Sequence, residues 1–131
     1  MKVLDRLHGC GVVPVVVLDD VKDAVATAKA LLAGGVDVME ITFRTAAAAD
    51  SIKAVAENCP DMLVGAGTVI TLDQCKQAVE CGAKFIVSSG SASATDEWAF
   101  IIWKQAQTSF RVRSSMTVPI GVNAVHKLII Q

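Results

Sequence analysis

The stretch that decides the fold is residues 38–45, which read VMEITFRT. It joins β-branched and apolar residues, typical of a buried strand, to a polar end that carries a guanidinium and hydroxyl groups. Residues 64–69 (VGAGTV) and residues 85–90 (FIVSSG) repeat this design, with small and hydroxyl-bearing residues after an apolar run. Functional side chains at the carboxyl ends of successive parallel strands are what the active site of an α/β barrel requires. These three stretches therefore predict such a barrel.

The first ninety residues alternate between strand and helix patterns with a period of about 22 to 25 residues. The predicted strands are apolar runs rich in valine. Between them lie segments whose apolar residues recur at helical spacing and which end at a glycine or a turn. The predicted strands are 12–18, 36–42, 62–66 and 85–88, and the predicted helices are 3–7, 21–32, 46–58 and 71–81. Short α/β repeats with buried strands indicate a parallel sheet, and their constant period favours a barrel over a doubly wound sheet. The turn after the first strand supports this choice, because Asp19 and Asp20 cap a helix there and would repel phosphate.

The pattern stops near Gly90, which divides the chain into residues 1–90 and residues 91–131. The first part carries 8 basic against 11 acidic residues, whereas the second carries 4 against 2 and holds both tryptophans. No βα period continues, although residues 98–105 fit a short helix and residues 116–122 a weak strand. We therefore expect an α/β fold that is the N-terminal half of a (β/α)8 barrel, about four βα units, followed by an atypical C-terminal tail.

Composition excludes several classes of protein. The longest apolar run, residues 12–18, has seven residues, far below the roughly 20 that a membrane-spanning helix needs. No signal peptide is recognisable at the start, so we expect a cytoplasmic protein. The net charge of −1 does not indicate a basic surface that would bind nucleic acid or an anionic membrane. Four scattered cysteines and two histidines give no metal-site spacing, so we expect reduced, structural thiols and no metal.

Glu40 is the candidate acid–base residue. Along a strand alternate side chains face opposite sides, so Val38, Glu40 and Thr42 share one face while Met39 and Ile41 share the other. If the second pair packs on helices, Glu40 points into the barrel near its mouth. Desolvation there raises the pKa of a carboxyl, which suits a general base or acid. The alternative is a surface or helix-capping glutamate.

Arg44 and Thr68 are the candidate anion-binding residues. The guanidinium of Arg44, just past the second strand, can bind a carboxylate or phosphate with two parallel hydrogen bonds. Alternatively, Arg44 is a loop residue paired with Asp50. The glycines before Thr68 let a ligand approach the backbone, and its hydroxyl can bind a small anion. Alternatively, Thr68 or Thr71 caps the next helix.

Taken together, these motifs resemble the 2-keto-3-deoxy-6-phosphogluconate (KDPG) and 4-hydroxy-2-oxoglutarate (KHG) aldolase family. The resemblance covers roughly residues 3–90 and rests on VPV at 13–15, EITFRT at 40–45, GAGTV at 65–69 and FIVS at 85–88. It implies a (β/α)8 barrel, usually a homotrimer, that acts as a class I aldolase without a cofactor. In this chemistry a lysine amine forms a Schiff base with a 2-keto acid, and the protonated imine accepts electrons as the C3–C4 bond breaks.

The resemblance also implies roles for individual residues. Glu40 would move protons to and from the C4 hydroxyl and the enamine, while Arg44 and Thr68 would hold the pyruvate carboxylate. Ser89 stands where the family has the proline of a Ser-Pro-Gly motif that contacts substrate. The products would be pyruvate with glyceraldehyde 3-phosphate from KDPG, or with glyoxylate from KHG.

The Schiff-base lysine is missing from the matching pattern. The family places it in a later strand of the type Lys-x-Phe-Pro, and no such segment occurs in this chain. Lys84 precedes its strand, at the wrong end of a barrel, while Lys104 and Lys127 lie in the tail without a strand-end context. We therefore assign the nucleophile to no residue and expect impaired activity.

Four strands cannot close a barrel of eight, so a half-barrel must dimerise or cover itself with the tail. One hypothesis is a truncated aldolase whose reading frame shifts near Ser89. A second is a divergent protein whose tail is a genuine cap. A third is a non-catalytic half-barrel module that binds 2-keto acids or a partner chain.

Overall fold

The computed structural model describes residues 3–91, 112–120 and 123–130. Helices and strands alternate through the first ninety residues, as the sequence predicts. In chain order the elements are α1 (Val3–Cys10), β1 (Val15–Val16), a 3₁₀ turn (Val21–Asp23), α2 (Ala24–Ala33), β2 (Val38–Thr42), α3 (Ala48–Asn58), β3 (Leu63–Gly67), α4 (Leu72–Glu80), β4 (Phe85–Ser91), β5 (Val112–Ile120) and β6 (Asn123–Ile130).

The strands form a single sheet in the order β1-β2-β3-β4-β6-β5. The first four are parallel, while β6 runs antiparallel to β4 and β5 antiparallel to β6. The predicted strand at residues 116–122 corresponds to β5, which begins at Val112, and β6 was not predicted. The β5–β6 hairpin occupies the edge of β4 that a bare half-barrel would expose. The helix predicted at residues 98–105 lies outside the described residues.

Two apolar layers lie on opposite faces of the parallel strands. On the outer face Met39, Ile41 and Val64 pack against residues of the helices, such as Ile52 and Cys75. The inner face packs Val38, Leu63, Phe85 and Val87 against Leu7 of α1. The predicted facing of β2 is therefore confirmed, since Met39 and Ile41 meet the helices and Glu40 lies on the inner face.

The prediction for β1 is wrong in extent and burial. Only Val15 and Val16 pair with β2, whereas residues 12–18 were expected to form a strand buried on both faces. Val15 and Val17 are 59% and 48% exposed. The reason is position, because β1 is an edge strand and β2 alone pairs with it in the described part of the sheet.

Helix α1 closes the end of the sheet opposite the polar strand ends. One guanidinium nitrogen of Arg6 donates to the Asp37 carboxylate at 3.0 Å, to the Asp37 carbonyl at 3.1 Å and to the Asp61 carbonyl at 2.7 Å. These bonds attach α1 to the residues that precede β2 and β3. The Arg6 bond to the Asp37 carboxylate lowers the pKa of that group.

All four cysteines are free thiols, as expected, and burial raises the pKa of Cys75 to about 11. None of the helices in the described ranges has both the length and the apolar character that crossing a bilayer demands.

Candidate functional site

Glu40 lies at the centre of β2 with its carboxylate directed along the sheet toward the carboxyl ends of the strands. The residue is 7% exposed, and its backbone N–H donates to the Pro14 carbonyl at 3.0 Å. Its register partner on β3 is Gly65, yet its carboxylate lies beside Gly67, two residues further toward the mouth. A Cβ added at Gly67 would overlap the carboxylate and lie 2.6 Å from its Cδ. The alternative of a surface or helix-capping glutamate is therefore wrong.

Both glycines of β3 make room for inner-face side chains. A Cβ at Gly65 would meet the buried ring of Phe85, with Cδ2 at 2.6 Å. The Gly65-Ala66-Gly67 motif thus has a packing function in addition to its possible exposure of backbone to a ligand. One glycine accommodates the inner apolar layer, and the other accommodates the Glu40 carboxylate.

Thr42, the last residue of β2, has a polar side chain on the inner face. The sequence analysis did not include this residue in the site. It is 0% exposed, and its hydroxyl has no hydrogen-bond partner among the described residues. Its register partner is Gly67, the residue that the Glu40 carboxylate contacts. The alternation of β2 already placed Thr42 on the Glu40 face, and this was the signal that could have identified it.

Thr68 follows β3 in a strained conformation. Its φ of +54° makes it the one non-glycine residue with positive φ in the described ranges. Such a conformation is unusual for a β-branched residue and is found where the surrounding structure imposes it, often at functional sites. Thr68 does not cap a helix, because Thr71 caps α4 by accepting from the Gln74 N–H at 3.1 Å.

Arg44 lies two residues past the end of β2 and is exposed. Within the described part of the chain no ion pair joins it to Asp50, so the alternative of a paired loop arginine is wrong. The loop that carries it is attached on both sides, because Phe43 N–H donates to the Gly67 carbonyl at 2.8 Å and the Thr45 hydroxyl donates to the Leu18 carbonyl. The guanidinium therefore extends from a fixed backbone at the mouth of the sheet.

The remaining predicted positions are only partly described. The backbone of Ser89 lies in β4 opposite Val125 of β6. Lys84 is exposed and immediately precedes β4, at the end of the sheet opposite the mouth, as predicted. Lys127 lies within β6 with its backbone opposite Val87, and Lys104 lies outside the described residues.

The chemistry available at this site comes from a buried carboxylate, an exposed guanidinium and hydroxyl groups. No group of three or more histidine, cysteine, aspartate or glutamate side chains suited to a metal ion occurs in the described ranges. None of the four parallel strands contains a lysine. The site can bind an anion and exchange protons with it.

Comparison with known proteins gives a consistent result. The model of the KDPG and KHG aldolase family matches residues 3–120, thirty residues past the last of the sequence motifs. The 2-dehydro-3-deoxy-phosphogluconate aldolase of Treponema pallidum is 49% identical over 88 residues, which are 67% of this chain and 42% of that protein.

Solved structures agree with this similarity. The KDPG aldolase of Legionella pneumophila, with pyruvate captured at low pH as a covalent carbinolamine intermediate, is 38% identical with a TM-score of 0.62, covering 71% of this chain and 43% of that one. The 2-keto-3-deoxy-6-phospho-gluconate aldolase of Zymomonas mobilis is 37% identical with a TM-score of 0.64, covering 77% and 48%. The chain spans about two fifths of the length of the curated relatives that it matches. These matches confirm the predicted fold, the N-terminal half of a (β/α)8 barrel.

Proposed function

Because this chain belongs to the KDPG and KHG aldolase family, we propose that the mouth of its half-barrel is the 2-keto acid site of a class I aldolase. The observation that carries the proposal is the buried Glu40 carboxylate, held against Gly67 beside the strained Thr68 and below the exposed Arg44. An anion-binding guanidinium above a shielded proton-transfer group is the combination that binding and deprotonating a 2-keto acid requires.

Arg44 and Thr68 would bind the carboxylate of the 2-keto acid. The guanidinium offers two parallel N–H donors that match a carboxylate, and its lack of an ion-pair partner in the described ranges leaves it available. The positive φ of Thr68 sets the direction of its backbone and hydroxyl at the end of β3, next to the Glu40 carboxylate.

Glu40 would act as the general acid and base. It would take the proton from the C4 hydroxyl when the C3–C4 bond breaks and return a proton to C3 of the enamine. A carboxylate shielded from water suits this task, because water neither competes for the proton nor weakens the carboxylate as a base by hydrating it. The substrate would be KDPG or KHG, with pyruvate as the common product.

Carbon–carbon cleavage also needs the Schiff base, and this proposal assigns its lysine to no residue. Since the chain has no Lys-x-Phe-Pro segment, we expect it to bind pyruvate and to turn over KDPG poorly or not at all. The activity of this polypeptide and the mechanism of its relatives are thus separate questions.

Pyruvate with sodium borohydride tests the proposal. Ligand-detected NMR measures pyruvate binding to the full chain, and intact mass spectrometry after reduction measures any covalent adduct on lysine. We expect saturable binding that Arg44→Ala abolishes. Absence of binding by the wild-type chain would contradict the proposed site.

The second candidate is a non-catalytic half-barrel module that binds 2-keto acids or a partner chain. The observation that favours it is the absence of a Lys-x-Phe-Pro segment from the sequence. The borohydride experiment separates the two candidates, because a module binds pyruvate without an adduct whereas an aldolase traps it on a lysine that peptide mapping identifies.

We also propose that the chain is cytoplasmic and forms homo-oligomers, trimers in the family pattern. Val15 of β1 and its neighbours Val12 and Val17 are exposed and supply apolar surface that association would bury. Light scattering after size exclusion measures the mass directly.

The segment from residue 91 onward is proposed to derive from a shift of reading frame near Ser89, in competition with a genuine divergent cap. The match of the family model to residue 120 favours the cap, whereas the missing Lys-x-Phe-Pro segment favours the shift. Translation of the gene past codon 89 in all three frames distinguishes the two hypotheses. If another frame encodes further βα repeats, the result supports the shift of reading frame and not the cap.

A further inference from the structure

We propose that Thr42 is a positioning residue for Glu40, whose side-chain hydroxyl rotates to donate a hydrogen bond to the Glu40 carboxylate. The inference rests on the proposed role of Glu40 as the proton-transfer group. It adds to that role a residue that neither the sequence motifs nor the family match identifies.

The first support is the burial of an unpaired hydroxyl. Thr42 is 0% exposed and its Oγ1 has no partner in the described part of the chain. A buried polar group without a hydrogen bond lowers the stability of the folded state, because its desolvation is not offset. Valine has nearly the same shape and a higher preference for strands, so stability alone favours valine at this position. The hydroxyl therefore calls for an explanation outside the stability of the fold.

The second support is geometry. Glu40 and Thr42 lie on the same face of β2, two residues apart, and the Glu40 carboxylate extends to Gly67. Gly67 is the register partner of Thr42, so the carboxylate and the threonine lie at the same level of the sheet on adjacent strands. Because Gly67 has no side chain, no Cβ separates them. A change of the threonine χ1 to another staggered rotamer re-aims the hydroxyl oxygen, and its hydrogen then turns freely about the C–O bond.

The third support is the character of the neighbouring strands. Where β1 and β3 flank Glu40, the described side chains offer no titratable group, since β1 contributes Val15 and Val16 and β3 contributes Gly65 and Gly67. Arg44 lies beyond the end of β2 and is exposed. On β2 itself, the Thr42 hydroxyl lies at the level of the carboxylate and would add a donor to the interactions that Glu40 already makes. A donor to the ionised form stabilises the charged carboxylate and fixes the orientation of its oxygens.

The test is the NMR titration of the Glu40 side-chain carboxyl carbon in the full chain without substrate. Thr42→Val removes the hydroxyl and keeps the shape, and we expect it to raise the measured pKa of Glu40 by about one unit. Thr42→Ser retains a hydroxyl and should restore the wild-type titration. Ser51→Ala is the matched control, because Ser51 on α3 is the other buried hydroxyl without a partner in the described ranges and lies on the helix layer.

Urea unfolding of the same variants separates positioning from a structural role. Ser51→Ala should be as stable as wild type or more stable, since it removes an unpaired buried hydroxyl. Thr42→Val should instead lose stability at a pH where Glu40 is ionised, by the amount that its titration shift implies. An unchanged Glu40 titration in Thr42→Val would overturn the inference, and so would a loss of stability without a titration shift. A shifted titration in a protein that does not bind pyruvate would overturn the proposed function alone.

Discussion

Single residues set the geometry of the barrel mouth. The two glycines of β3 do so because they have no side chain, which leaves space for the side chains of neighbouring strands. Gly65 accommodates the ring of Phe85, which is fully buried, whereas Gly67 accommodates the end of a flexible carboxylate chain. The same substitution at the two positions should therefore have different consequences. At Gly65 the core must move, and at Gly67 only the Glu40 carboxylate must move.

Gly65→Ala is expected to destabilise the protein by about 1–3 kcal/mol, the usual cost of overpacking a core. Gly34→Ala is the matched control, because a Cβ there would meet only the Leu31 and Ala30 carbonyls at ordinary distances of 3.5 and 3.7 Å. Urea unfolding of both variants measures the difference. Equal stability of the two variants would show that Phe85 does not occupy the space beside Gly65.

Thr68→Gly should stabilise the fold by up to about 1 kcal/mol while weakening pyruvate binding. Glycine adopts a positive φ without strain, although part of the gain is lost to the greater freedom of the unfolded chain. Thr71→Ala should instead lose about 1 kcal/mol, because it removes the cap of α4. A Thr68→Gly protein less stable than wild type would contradict the assignment of strain to this residue.

At the scale of elements, α1 is held to the sheet by the packing of Leu7 in the inner layer and by a charged contact. Arg6 joins it to Asp37 and Asp61 at the amino ends of β2 and β3, opposite the proposed site. Because this contact depends on an ionised Asp37, the attachment of the helix should depend on pH.

The pKa of Asp37 is lower in the folded protein than the ordinary 3.8, chiefly through its hydrogen bond from Arg6. The unfolded chain therefore binds the proton more readily, so this contribution to stability is complete above about pH 5 and is lost as the pH falls through the folded pKa. Arg6→Met should flatten that part of the stability profile. Urea unfolding between about pH 2 and 6 measures it, with Lys22→Met as the control because the Lys22–Asp20 pair is exposed. Profiles of the same steepness in wild type and Arg6→Met would contradict the role of this contact.

The elements also show what the sequence could predict. Periodicity located α2, α3, α4 and the parallel strands, because the side-chain pattern of each reflects the layer against which it packs. The burial of β1 was predicted wrongly because apolar content does not reveal whether a strand lies at an edge. The hairpin strand β6 was missed because antiparallel pairing depends on a distant partner rather than on a local pattern. Strand alternation placed both Glu40 and Thr42 on the inner face, whereas the unpaired state of the buried Thr42 hydroxyl could be seen only in the structure.

At the scale of the whole molecule, the parallel strands form half of a barrel whose sheet continues into an antiparallel hairpin. The hairpin pairs with β4, and β1, with its exposed valines, is the opposite edge of the sheet in the described part of the chain. The ends of β2 and β3 bring a carboxylate, a guanidinium and hydroxyl groups to one mouth. We therefore propose that this half of the barrel binds the ligand.

The most direct test is a map of backbone amide chemical shifts as pyruvate is added to the full chain. The account predicts saturable shifts confined to the mouth, at Glu40, Thr42, Arg44, Gly67 and Thr68, with no change at Arg6 or Asp37 at the opposite end. Shifts centred on α1, or none at any concentration, would contradict a 2-keto acid site at the carboxyl ends of the strands.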